Sequence, residues 1–152
     1  MKIVLIGHGM VGHKFLESLL AQHPTQCQIT VLAEEPRPAY DRVHLTSYLS
    51  GKTAKELSLC RMDFAEAHGI DLRLNTQVAA IDRQAKIVTT QQGEQFAYDK
   101  LIMATGSYAF VPPIEGHDRK NCFVYRTLED LDAILEASRR AKVGTEIGRA
   151  HV

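Results

Sequence analysis

Short apolar runs punctuated by glycine and proline alternate with stretches of helical spacing along the early part of the chain. Lys2 to Ile6 is apolar after its lysine and stops at Gly7, the pattern of a buried parallel strand. Met10 to Ala21 carries Val11, Phe15, Leu19 and Leu20 near helical spacing, which predicts a helix packed back on that strand. Gln28 to Ala33 is β-branched and apolar, a second buried strand, so the three form a βαβ unit with a right-handed crossover. Glu34 to Gly51 is polar, holds Pro36 and Pro38 and has no sustained period. It reads as a long loop, and long ordered loops in compact domains tend to be functional. Thr53-Ala54-Lys55-Glu56 has the form of a capping box that opens a helical piece. Met62 to His68 reads as a helix ended by Gly69 at C′.

The next segments are strand-prone: Asp71 to Leu74, Gln77 to Asp82, Lys86 to Thr90 and Gln95 to Tyr98, with Gln92-Gly93 as a turn. They predict one further parallel strand followed by an antiparallel meander. Lys100 to Ala104 is another buried strand. Thr127 caps a second amphipathic helix, Leu128 to Ala141, with Leu128, Leu131, Ile134 and Leu135 on one face. The fold class expected is α/β, a Rossmann-like parallel sheet with helices plus a β-meander.

Composition narrows the options. The 152 residues suggest about one domain at roughly 150 residues each, assigned here to 1–144. The chain is 45% hydrophobic, and 18 basic residues balance 18 acidic ones. That balance removes a broad electrostatic case for nucleic acid or an anionic membrane, and neither is expected as a partner. Cys27, Cys60 and Cys122 are scattered, with no CxxC or Cys/His cluster, so no zinc or iron–sulfur site is expected within the chain. Such thiols suit a reducing cytosol. The apolar run at the N-terminus is too short for a signal peptide, and no stretch approaches the ~20 residues of a membrane span. A cytoplasmic location is the expectation. Residues 145–152, ending EIGRAHV, continue no pattern and resemble translated adapter sequence, so they are set apart as a non-native tail, the alternative being a native disordered one.

Gly7-His8-Gly9-Met10-Val11-Gly12 is GxGxxG, directly after the first strand and opening the first helix. Gly7 permits the tight turn, Gly9 lets the backbone approach a pyrophosphate, and Gly12 lets helix and strand pack closely. Amide N–H groups around Met10 and Val11, with the helix dipole, would stabilise phosphate charge. Glu34 ends the second strand, about twenty residues beyond Gly12, where a carboxylate accepts hydrogen bonds from ribose hydroxyls and disfavours a 2′-phosphate. The alternative is a glycine turn in a nonbinding α/β domain. An ADP-containing ligand is expected, and FAD and NAD both carry ADP.

Ala104-Thr105-Gly106 follows a buried strand after the meander, and Gly106 leaves no side-chain bulk against a dinucleotide. Paired with the upstream GxGxxG, this step resembles the two-part signature of FAD domains in the pyridine-nucleotide-disulfide-reductase superfamily. The loop Glu34 to Leu45, EEPRPAYDRVHL, is similar to that of flavin reductases serving ferredoxins and rubredoxins. Its YDRVHL core, TAKELSLC at 53–60, YDKLIMATGSY at 98–108 and CFVYRTLEDL at 122–131 together resemble large subunits of NAD(P)H-dependent nitrite reductases. The resemblance runs to about Gly144 and covers only the first part of that family's longer chain, so the FAD domain is expected to be incomplete at its C-terminus.

The resemblance implies roles residue by residue. Gly7, Gly9 and Gly12, with Met10 and Val11, shape the pyrophosphate turn, and Glu34 binds the adenosine ribose. Arg42 pairs with the pyrophosphate or the flavin edge, a task suited to a guanidinium fork. Its alternative is a solvated arginine beside Asp41, and Tyr40 and Leu45 are expected to pin the loop. Val78 holds the adenine through its backbone, and Thr105 and Gly106 line the ribityl-phosphate region. Ferredoxin-type relatives carry PLSK where this chain reads HLTS, so Ser47 stands in place of a lysine near the flavin and supplies no cation. Residues 34–59 hold no cysteine, which disfavours a thiol–disulfide mechanism, and Cys60 is expected to be a buried apolar residue. His8 and His13 are read as helix-entry and surface residues without metal-ligand spacing. His44 is a possible hydrogen-bond partner of the flavin, without acid–base work, and Arg83 and Lys86 form a solvated hairpin face.

No catalytic or metal-ligating residue is assigned. The resemblance implies electrons passing from NAD(P)H through flavin to iron–sulfur and sirohaem centres that reduce nitrite to ammonium, with those metal groups and NAD(P)H belonging to the full-length protein only. A small subunit or a homodimer is compatible with it. The chain alone is not expected to be active. The alternatives are a flavin-dependent NAD(P)H reductase of a ferredoxin, rubredoxin or nitrate reductase partner, and a non-catalytic dinucleotide-binding module. An incomplete domain would expose an apolar sheet edge and part of the cofactor site, giving weak FAD affinity and aggregation.

Overall fold

The computed structural model describes residues 1–22 and 27–148. They form two compact units. The first comprises Met1–Asp41 and Ala54–Ser107; the second comprises Arg42–Thr53 and the described residues from 108 on.

In the first unit the strands β1 (Lys2–Ile6), β2 (Gln28–Leu32), β3 (Asp71–Arg73) and β7 (Lys100–Met103) make a parallel sheet in the order β3-β2-β1-β7. The chain steps outward from β1 to β2 to β3, then returns to the other flank of β1 as β7. The switch in direction therefore falls between β1 and β7, where open α/β sheets place their ligand crevice. Ile6 is level with both Leu32 and Met103, so Gly7, Ala33 and Ala104 emerge at one carboxyl edge.

Strand alternation sends β1 side chains to opposite faces. Leu5, with Ile29 and Val31, packs against Leu16 of helix α1 (Met10–Gln22) and Ile70. Val4 and Ile6, with Leu32, pack against Val88 of the antiparallel sheet formed by β4 (Val78–Asp82), β5 (Ile87–Thr90) and β6 (Gln95–Ala97). The central strands β1 and β2 are thus covered on both faces, which explains their near-continuous apolar runs. Each fully buried Leu or Val here contributes roughly 1.5–3 kcal/mol of transfer free energy. Arg83 and Lys86 sit on the exposed β4–β5 turn as expected, where the Asp82 carboxylate accepts the Gln84 and Ala85 N–H groups.

Two short helices complete this unit, α3 (Ala54–Leu57) and α4 (Phe64–Ala67). The helix expected over 62–68 is reduced to α4, closed by a Schellman motif: Gly69 has φ +62°, its N–H donates to the Glu66 carbonyl and Ile70 N–H donates to the Ala65 carbonyl.

The second unit holds α2 (Leu45–Leu49) and α5 (Leu128–Ser138). The long loop expected over 34–51 is corrected here, because Leu45 buries and draws one helical turn with it. Tyr48 Oη donates to Asp132 at 2.6 Å, and the Thr46 and Tyr125 hydroxyls lie 3.1 Å apart, tying α2 to α5 and its approach. Thr127 caps α5 as expected, with Asp130 returning the bond to the Thr127 N–H at 2.8 Å. Leu128 and Leu131 are fully buried, whereas Ile134 and Leu135 are half-buried; the helix ends at Ser138, short of the expected Ala141. Of the tail set apart at 145–152, residues 149–152 lie outside the described residues.

Candidate functional site

The glycine turn follows β1 and opens α1, and each glycine is there for a different reason. Gly7 has φ +96°, and a Cβ on it would lie 2.3 Å from the Ala104 carbonyl oxygen. A Cβ on Gly12 would lie 2.4 Å from the Gly7 carbonyl oxygen. Both are consumed by packing of turn, helix and β7. Gly9 is different: a Cβ there meets nothing within 4 Å. Space beside Gly9 is not required by the fold, and it opens where α1 begins. An α-helix leaves its first amide N–H groups without intrahelical partners, so Met10 and Val11 present donors and the positive end of the helix dipole at that point. Val11 is 73% exposed, so its side chain does not close over this end. A bare backbone face beside a helix N-terminus at a sheet switch point fits the diphosphate of a dinucleotide.

The second β-strand positions the carboxylate. Glu34 is exposed, one residue past Ala33, whose N–H donates to the Arg73 carbonyl. The neighbouring segment is fastened to it: Thr76 N–H donates to the Ala33 carbonyl, and Asn75 N–H to the Glu35 carbonyl. That leads directly into Val78, half-buried at the start of β4 opposite Thr90, with a register shift just beyond it. Glu34 and the Val78 segment therefore share one carboxyl-edge neighbourhood. Thr105 and Gly106 follow β7 and are exposed, with Gly106 at φ +70°.

Arg42 and Ser47 belong to the second unit. Arg42 is half-buried and its guanidinium donates to the Arg126 carbonyl at 3.2 Å. Ser47, half-buried within α2, has its N–H on the His44 carbonyl, and its own carbonyl accepts the Lys52 N–H. Tyr40 and Leu45 are both buried, consistent with anchors for their segment, and Tyr40 Oη donates to the Glu35 carboxylate at 2.8 Å. Cys60 is half-buried beside Ser58, and burial pushes its thiol upward, away from thiolate chemistry. Among the described residues, no group of three or more His, Cys, Asp or Glu is placed to hold a metal ion, and no helix is long and apolar enough to cross a membrane.

The expected surface placement of His8 and His13 is corrected. They are 7% and 4% exposed. The Ala39 N–H donates to His8 Nδ1 at 3.3 Å, and the two rings meet edge-on with centroids 5.7 Å apart. His13 meets Phe64 on its other side at 4.8 Å, so both imidazoles fill the gap between the glycine turn, α1 and α4. Burial, with His13 nearby, pushes the His8 pKa down from 6.5 to about 4. The partners that bury these rings, Ala39 and Phe64, lie far along the chain, so no local pattern signals the placement.

Residues 1–147 match the family described as pyridine nucleotide-disulphide oxidoreductase. The chain is 52% identical over 148 residues to the large subunit of the nitrite reductase (NADH) of Escherichia coli, covering 97% of this chain and 18% of that protein. It is 52% identical over 147 residues to the nitrite reductase [NAD(P)H] large subunit of Klebsiella oxytoca, covering 96% of this chain and 15% of that one. The chain thus spans less than a fifth of these relatives. Among solved structures, a water-forming NADH oxidase from Lactobacillus brevis bound to NADH superposes with a TM-score of 0.84 at 26% identity, over 93% of this chain and 33% of the other. With the glycine turn, the switch point in strand order and the family match in agreement, the chain belongs to the pyridine nucleotide-disulphide oxidoreductase family.

Proposed function

We propose that this chain is the FAD-binding part of a cytoplasmic NAD(P)H-dependent nitrite reductase large subunit. The observation that carries the cofactor is the open space beside Gly9 at the start of α1, between two glycines that packing does require. Identity to two nitrite reductase large subunits supports the enzyme. When bound, FAD supplies hydride acceptance and one-at-a-time electron release, the exchange that joins a nicotinamide donor to metal acceptors.

The chain's own residues bind and orient. The Met10 and Val11 amides hold the diphosphate, and Gly9 admits it. Glu34 accepts hydrogen bonds from the adenosine ribose hydroxyls, and the Val78 backbone meets the adenine. Thr105 and Gly106 flank the ribityl-phosphate stretch, while Arg42 serves the pyrophosphate or the flavin edge. Ser47 adds no cation, so the flavin's electron affinity is not raised from that position. In an intact nitrite reductase, FAD held by these residues would link NAD(P)H to iron–sulfur and sirohaem centres that would supply the reduction of nitrite to ammonium, with a small subunit or second copy as partner. Reductases of ferredoxins, rubredoxins or nitrate reductase are built on the same cofactor logic, and a non-catalytic module would bind NAD in place of FAD.

Flavin uptake decides between a flavoenzyme part and a non-catalytic module. Purified chain mixed with FAD should acquire a bound-flavin absorbance spectrum and show no comparable affinity for NAD. NAD binding without flavin uptake would contradict the proposal.

A further inference from the structure

We infer that His8 is a positioning residue for dinucleotide binding: its neutral imidazole latches the Glu34-bearing loop to the phosphate turn by accepting the Ala39 N–H at Nδ1. The inference rests on the proposed dinucleotide function and adds a part to it.

The loop from Ala33 to Asp41 carries the ribose carboxylate, while the turn from Gly7 to Gly12 carries the diphosphate amides. One dinucleotide must touch both, so their separation has to be fixed before binding or paid for during it. The sheet ladder joins them as far as the Gly7 N–H on the Leu32 carbonyl. Beyond that point the His8–Ala39 bond spans the two segments, 31 residues apart in sequence. Ala39 is 1% exposed, so its N–H has no water to turn to if the histidine is removed. Its carbonyl is also engaged, accepting the Leu59 N–H at 2.9 Å. The loop is thereby gripped at one residue from both sides.

Accepting at Nδ1 defines the tautomer, since the proton must sit on Nε2. A protonated ring would turn an N–H toward the Ala39 N–H and break the latch. The groups packed around His8 favour the neutral form: His13 of α1 stands edge-on to it, and Phe64 of α4 follows, with His68 beyond. Glu17, the carboxylate of this group, lies 3.7 Å from the far nitrogen of His13 and is itself exposed.

The test uses the 152-residue chain, FAD as ligand, and the variants His8→Ala and His8→Asn. The amide oxygen of asparagine can stand where Nδ1 stands and accept the same N–H. His8→Ala should weaken FAD binding about tenfold, about 1.4 kcal/mol, and should speed hydrogen exchange at the Ala39 amide. His8→Asn should restore most of both. In the wild-type chain, ring nitrogen NMR at neutral pH should show Nδ1 bare and Nε2 protonated. A His8→Ala variant with wild-type FAD affinity, or a proton on Nδ1, overturns this inference alone. A wild-type chain that takes up no FAD overturns the proposed function and this inference with it. Should His8→Ala fail to fold, the wild-type tautomer and the His8→Asn affinity decide.

Discussion

Gly7 lies so close to Ala104 that a Cβ would stand 2.3 Å from the Ala104 carbonyl oxygen. This contact ties the turn after β1 to the end of β7 at the point where the strand order reverses. A side chain at Gly7 must also adopt φ +96°, outside the range L residues favour. Gly7→Ala should therefore cost about 3 kcal/mol or more and leave much of the chain unfolded. Urea denaturation followed by circular dichroism checks it, and an unchanged midpoint would refute the close packing.

Glu34 should govern affinity without governing stability. It is exposed at the carboxyl edge of β2, so Glu34→Gln removes the charged acceptor proposed for the ribose hydroxyls and little of the fold. Hydrogen bonds to charged groups are worth about 1.5–3 kcal/mol, so FAD affinity should fall roughly 10- to 100-fold. Flavin fluorescence titration alongside thermal melting separates the two effects.

His8 predicts a specific acid weakness. Its folded pKa of about 4 lies below its ordinary 6.5, so the unfolded chain binds a proton first as pH falls. Stability is present in full above pH 6.5 and declines as pH drops toward 4, by a loss on the order of 3 kcal/mol. Asp99, held low by the Lys2 N–H, and Asp63, held low by Arg61, lose their contributions beneath that window. Urea midpoints across the window should slope in the wild-type chain and flatten in His8→Asn. Equal slopes would remove His8 from the acid response.

In the second unit, Thr127→Ala removes the cap of α5 and leaves the Asp130 N–H without its 3.2 Å acceptor. The expected cost is about 1 kcal/mol. A Thr127→Ser variant keeps the acceptor and should stay close to wild type in the same denaturation assay.

How far the sequence revealed all this depends on the range of the interactions involved. The βαβ unit was legible because glycine, apolar run and helical spacing are local features. The meander was legible from alternation and turn residues, and β4, β5 and β6 fall within the expected segments. Helix α2 was hidden inside a polar loop, because one buried leucine cannot establish a period. His8 and His13 were misplaced for a related reason. Their burial is set by Phe64 and Ala39, which are distant in sequence, and a histidine's polarity masks how well its ring packs. The motif already assigned Gly7 to the tight turn and Gly12 to close packing and kept Gly9 apart from both, and in the structure Gly7 and Gly12 meet backbone carbonyls while Gly9 meets nothing. What no local pattern specifies is which atoms they meet, the Ala104 and Gly7 carbonyls.

The sharpest measurement follows from that distinction: FAD binding and thermal melting of the wild-type chain beside Gly9→Ala. A methyl group at Gly9 enters open space in the protein and the room proposed for the diphosphate. The account predicts an unchanged melting temperature with FAD binding reduced by tenfold or more. Equal FAD affinity in the two proteins, or no flavin uptake by the wild type, would contradict it.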